Sequence, residues 1–96
     1  MKTKTKMSRR DKLQVRHPDT QLLFLSEKEF DKAIVRITTR KDRFSGKICK
    51  VVAYSTAKCI EAIEEMGMTY DEAVEWFYHN TAGAYFGPQT PYFIGR

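Results

Sequence analysis

The chain is 96 residues long with 42% hydrophobic and 12% aromatic residues, enough for one domain with a modest core. Its longest apolar run before the middle, residues 22–25, is far too short for a membrane span or a signal-peptide core, so a soluble protein with no membrane partner is expected. The net charge of +5 conceals a division of sign: residues 1–50 carry 15 Lys/Arg against 6 Asp/Glu and residues 51–96 carry 2 against 6, which predicts two differently charged faces.

Residues 1–16 hold seven basic side chains, Lys2, Lys4, Lys6, Arg9, Arg10, Lys12 and Arg16, against Asp11 alone. With only Leu13 and Val15 as later apolar anchors, the segment buries too little to offset its ordering entropy. Residues 1–20 are therefore read as a flexible basic arm and residues 21–96 as a single α+β domain. Such an arm suits nucleic-acid phosphates through counterion release; a solvated tail that aids solubility is the competing reading. His17-Pro18-Asp19 is a turn, and its histidine is expected at the surface.

Residues 21–25 are a short apolar run that serves either as an edge strand or as a linker. Ser26 and Glu29 have capping-box spacing and predict a one- to two-turn helix through Asp31. Residues 33–39 read as a strand, with Val35 and Ile37 on one face and Ile34, Arg36, Thr38 and Arg40 on the other. Residues 48–54 read as its partner, Cys49, Val51 and Ala53 alternating with Ile48, Lys50, Val52 and Tyr54. The polar connection 41–47 makes a hairpin loop, with Gly46 available for positive φ. Arg36, Arg40, Lys41, Arg43, Lys47 and Lys50 would then cluster along the outer face and tip of one hairpin. Phe44 at that tip either stacks on a base or a partner pocket, or folds back over the core.

Ser55 or Thr56 caps a helix through Met66 whose buried face is Cys59, Ile60, Ile63 and Met66. Gly67 stops it. Thr69 and Glu72 form a second capping box, with Asp71 adding negative charge at the helix N-terminus. Ala73, Val74, Phe77 and Thr81 follow at helical spacing, and the helix is expected to end near His79 or Asn80. Two helices around a glycine turn invite a helix-turn-helix reading. The second helix, however, presents Asp71, Glu72 and Glu75 and no Lys or Arg to a phosphate field, which argues against it. Both helices are expected to cover one face of an antiparallel sheet made of the hairpin and a C-terminal strand, in the order (α)ββααβ.

After the small residues Ala82, Gly83 and Ala84 and a Gly87-Pro88 turn, Tyr92-Phe93-Ile94 reads as a short strand. The run N-x-x-G-A-Y-x-G-x-x-T-P-x-F, carried by Asn80, Gly83, Ala84, Tyr85, Gly87, Thr90, Pro91 and Phe93, resembles a family of small uncharacterised proteins encoded by tailed bacteriophages and prophages. The likeness extends upstream through residues 31–35, Tyr54 and residues 68–73; the basic N-terminus and the 40–47 loop depart from it. The resemblance implies origin, architecture and a place in the host-cell cytoplasm, and no mechanism.

Cys49 and Cys59 lack C-x-x-C spacing and are expected to be reduced and buried, with no disulfide or zinc site. His79 at a helix end reads as a capping residue, and Cys49, facing the core, as a poor thiolate. The stretch 83–88 has neither the Lys nor the Ser/Thr of a phosphate loop. No catalytic residue, metal or cofactor is therefore expected. The leading expectation is a binding protein for an acidic target, nucleic acid or a nucleic-acid-handling host protein, contacted through Lys4, Lys6, Arg9, Arg10, Arg36, Arg40, Lys41, Arg43, Phe44, Lys47 and Lys50. The alternative is a protein-interaction or inhibitor module, such as a host-defence antagonist, using the aromatic surface of Trp76, Tyr78, Tyr85, Phe86 and Tyr92. A homodimer that extends the sheet is a close relative of that alternative.

Overall fold

A computed structural model describes residues 7–95. Its elements are α1 (Arg9–Arg16), a 3-10 turn (Lys28–Ala33), β1 (Ile34–Lys41), β2 (Ile48–Ser55), α2 (Thr56–Glu65), α3 (Tyr70–Phe77), a π-helical turn (Tyr78–Ala82) and β3 (Tyr92–Ile94). The α+β class and the order helix, two strands, two helices, strand are those expected.

The strands form one sheet in the order β1-β2-β3. β1 and β2 make the antiparallel hairpin, but β3 runs parallel to β2, pairing Tyr92 with Ala53 and Phe93 with Tyr54. The sheet is therefore mixed. The cause is the connection: α2, α3 and the residues after them return the chain to the hairpin-tip end, where Tyr85 meets Asp42 and Gln89 meets the Lys50 carbonyl, so β3 starts from the end at which β2 started and runs in the same direction.

One sheet face carries Ile34, Ile37, Val52, Tyr54 and Phe93 toward the helices, and the other carries Arg36, Thr38, Arg40, Cys49, Val51 and Tyr92. Ile34 thus lies opposite Arg36 rather than beside it. The register slips between these two residues, a bulge that leaves Val35 exposed and returns Ile37 to the core side. Cys49 likewise lies on the face away from the main core, paired with Arg40 and half-buried.

α2 and α3 bury their apolar faces on that sheet: Cys59, Ile63, Ala73 and Phe77 are sealed against Val52 and Tyr54. The Ser55 hydroxyl accepts from the Lys58 amide as the α2 cap, and Met66 ends the helix exposed instead of joining its buried face. The α3 capping box is formed on both sides, with the Thr69 amide donating to Glu72 at 2.9 Å and the Glu72 amide to Thr69 at 3.3 Å. α3 does not stop at His79. It widens into the π-helical turn, which keeps Thr81 buried one turn beyond Phe77, while the Asn80 side chain donates to the Trp76 carbonyl at 3.0 Å.

Residues 9–16, expected to belong to a flexible arm, form α1. The Ser8 hydroxyl caps it by accepting from the Asp11 amide. Arg10, Leu13 and Gln14 share one face at helical spacing, and that face docks. Arg10 donates from Nε to Asp31 at 3.0 Å and from its terminal nitrogen to the Leu25 carbonyl at 2.8 Å. Gln14 donates to the Thr20 carbonyl and accepts from the Leu22 amide, and Leu13 packs against the core. Anchoring is mostly polar, so composition and hydrophobic spacing do not reveal it. The 3-10 turn also replaces the helix expected after Ser26: no side chain caps it, and the Ser26 hydroxyl turns to Glu27.

Residues 21–25 pair with no strand. They are held at Leu25, whose amide donates to the buried Tyr54 hydroxyl at 2.9 Å. Tyr54→Phe leaves that buried amide unpaired and is expected to cost about 1–3 kcal/mol, read as a lowered midpoint in urea without a change in slope.

Burial pushes the Cys59 thiol up to about 12 from an ordinary 9.0 and the Tyr54 phenol up to about 12 from 10.0. Both groups are held neutral by the fold. Their contribution is complete below the unfolded values and is lost as pH rises toward the folded ones. Stability is expected to fall above about pH 9, by about 1.4 kcal/mol per unit for each group that ionises only in the unfolded chain. Cys59→Ala should move the onset to about pH 10, measured by denaturant melts between pH 8 and 11.

Candidate functional site

The hairpin tip is built on Asp42. Its amide donates to the Lys47 carbonyl and its carbonyl accepts from the Gly46 amide, each at 2.7 Å, closing the loop around a Gly46 with φ +78°. The Asp42 carboxylate accepts from the Ser45 amide at 2.8 Å and from the Tyr85 hydroxyl at 3.0 Å. The hydrogen bonds from Ser45, then that from Tyr85, hold this carboxyl below its usual range, while partial burial and the adjacent carboxylate raise the Tyr85 phenol. The Phe44 ring meets the Tyr85 ring edge to face, with centroids 4.9 Å apart.

Tyr85 is placed by the loop after the π-helical turn. Gly87 takes φ +96°, and the Thr90 hydroxyl donates to the Gly87 carbonyl while accepting from the Phe86 amide, both at 2.7 Å. Gln89 reaches back to the Gln21 carbonyl at 2.7 Å. Between this loop and the hairpin tip lies an open groove of about 710 Å³, floored by Val51 and β3.

The sequence-predicted contact residues fall into distinct environments. Arg36, Lys41, Arg43 and Lys47 are exposed with no carboxylate partner among the described residues. Arg43 lies over the Phe44 ring at 5.4 Å, and Phe44 is 70% exposed, so it does not cover the core. Arg40 stacks over the Tyr92 ring at 4.1 Å. Since Arg40 is on β1 and Tyr92 on β3, the stack bridges β2 and roofs Val51, which explains why Val51 is buried on the face away from the main core.

Lys50 leaves the group. It points to the other face and donates to Asp19 at 3.0 Å beside the His17 ring nitrogen, and that hydrogen bond holds the Asp19 carboxyl below its usual range. Arg10 is spent on Asp31 in docking α1. Arg9 is exposed on α1, and Lys4 and Lys6 lie outside the described residues. A third ion pair joins Lys32 to Glu65.

Sequence reading gave Asp42 no role and placed Tyr85 only on the alternative aromatic surface, so it missed their hydrogen bond. A local signal existed for Asp42, because Asp followed by Ser three positions on is turn chemistry. None existed for Tyr85, which meets Asp42 only through the tertiary fold.

The aromatic residues of the alternative surface divide between two places. Tyr78, Tyr85 and Tyr92 border the large groove; Trp76 and Phe86 join Phe24 and Pro91 around a smaller cleft of about 300 Å³. Among the described residues, no three His, Cys, Asp or Glu side chains group as metal ligands, and no helix is long and apolar enough to cross a membrane. His79 is exposed, its Nδ1 3.3 Å from the Glu75 carbonyl. Compared with known proteins, the chain matches no family model, no curated protein and no solved structure.

Proposed function

We propose that this chain is a small accessory protein of tailed-phage type that acts by binding rather than catalysis, and that the β1–β2 hairpin engages nucleic acid in the host cytoplasm. One observation carries this reading: Lys41, Arg43 and Lys47 lie at the hairpin tip with an exposed phenylalanine, and Arg36 lies farther along β1 on the same hairpin, with no carboxylate of the described chain paired to any of them. Elsewhere Arg10, Lys32 and Lys50 are paired, and the other exposed cations without an ion pair among the described residues, Arg9, Lys12, Arg16, Lys28 and Lys58, are spread over α1, the 3-10 turn and α2. Unpaired cations on one projection favour phosphate contacts, whose affinity falls with salt because counterions released into a more concentrated solution gain less entropy. Fluorescence anisotropy with labelled oligonucleotides at two salt concentrations tests the reading. Binding that weakens steeply with salt is expected; no binding of any oligonucleotide at low salt overturns it.

A second reading has its own support. Phe86 is 60% exposed and shares the smaller cleft with Trp76 and Phe24, an apolar lining of the kind protein partners use. On that reading Phe86→Ser releases a protein captured from the natural host, while substitutions in the hairpin leave it bound. Light scattering separates such a partner from a second copy of the chain.

A further inference from the structure

We infer that the groove between the hairpin tip and the C-terminal loop takes a single strand of nucleic acid, with an unstacked base on the Phe44 ring. The inference rests on the nucleic-acid reading above and narrows it.

The two walls of the groove differ in chemistry. The hairpin wall brings Arg40, Lys41 and Arg43 together with Phe44, whereas residues 78–95 on the other wall contain no Asp or Glu at all. The one carboxylate lining the groove is Asp42, already occupied by the Ser45 amide and the Tyr85 hydroxyl. A phosphodiester backbone thus meets cations on one side and no free anion on the other. The rings serve the bases. Phe44 contacts Tyr85 edge to face, an arrangement that fixes Phe44 at the rim while leaving it 70% exposed. Arg43 at 5.4 Å from the same ring adds a guanidinium that both stacks and pairs with phosphate.

Duplex fits these features poorly. Its bases are stacked on one another and show only their edges in the grooves, so a fixed ring at a rim has no base face to meet. α3 presents Asp71, Glu72 and Glu75 and is no major-groove reader. A concave groove with a rim aromatic and flanking cations instead matches how single strands are held, by stacking plus backbone tracking. Stacking and phosphate contacts do not read the 2′-hydroxyl, so single-stranded DNA and RNA should bind alike.

The test compares single-stranded DNA, single-stranded RNA and duplex DNA of one length by anisotropy, for the native chain, Phe44→Ala and Phe44→Trp. Circular dichroism confirms that each variant is folded, as expected for so exposed a residue. Both single strands should bind about tenfold or more tighter than duplex, Phe44→Ala should lose about tenfold on them, and Phe44→Trp should retain affinity. Equal or tighter duplex binding, or single-strand binding indifferent to Phe44→Ala, overturns the inference while the broader reading stands. Absence of binding to all three removes both.

Discussion

Phe77→Ala is expected to destabilise the protein by about 3–5 kcal/mol. Phe77 is fully buried and joins three parts of the structure: it extends from α3, meets the Phe93 ring of β3 edge to face at 5.1 Å, and meets Tyr78 of the π-helical turn at the same separation. Phe93 in turn lies 5.9 Å from the Tyr54 ring on β2. β3 pairs with β2 at only three positions, so its attachment depends heavily on that chain of rings. Because small domains are stable by only about 5–15 kcal/mol, the loss would leave the variant close to unfolding. Urea denaturation followed by circular dichroism checks this. A loss under about 1 kcal/mol would show that the ring cluster does not anchor β3.

Replacing Arg36, Lys41, Arg43 and Lys47 together by Gln should have the opposite profile. None has a carboxylate partner among the described residues, so each change is expected to move stability by no more than about 0.5 kcal/mol. The substitutions lower the net charge from +5 by four. On the proposed function, they remove up to four phosphate contacts and reduce the slope of log affinity against log salt by about 3 for a single strand. Arg10→Gln is the control. It breaks a half-buried pair that docks α1 and should lower stability while leaving the hairpin's affinity intact. If the fourfold variant binds with unchanged slope, the hairpin is not the contact surface.

Several parts of the fold were legible in the chain because the deciding interactions are local. The α3 capping box joins residues three apart, and Thr69 with Glu72 suffices to place the helix start. Alternation along residues 48–54 divided β2 into its two faces but did not say which one meets the core: Cys49, expected inside, lies with Arg40 on the outer face, and Lys50, expected outside, lies on the side of Val52 and Tyr54. The parallel setting of β3 was not legible, because a connection of two helices and a loop can return the chain to either end of β2, and tertiary packing decides which. The bulge at Val35 was not legible either: alternation assumes an unbroken register, and a slip of one residue inverts every face before it. α1 escaped for a different reason. Its docking face is Arg10, Leu13 and Gln14, and a cation counts as solvent-facing until its carboxylate is known.

The amino-acid sequence by itself determined the element order, the caps of α2 and α3 and the excess of positive charge in the first half, because each depends on residue type and on neighbours within a turn. Only the tertiary structure decided which cations remain available. Asp31, Asp19 and Glu65 reach Arg10, Lys50 and Lys32 from 21 to 33 residues away, while among the described residues no carboxylate pairs with Arg36, Lys41, Arg43 or Lys47. Asp42 at the hairpin tip is held by Tyr85 from the far end of the chain. Charge is a property of the residues, but whether it is neutralised depends on distance in space, which the folded backbone sets.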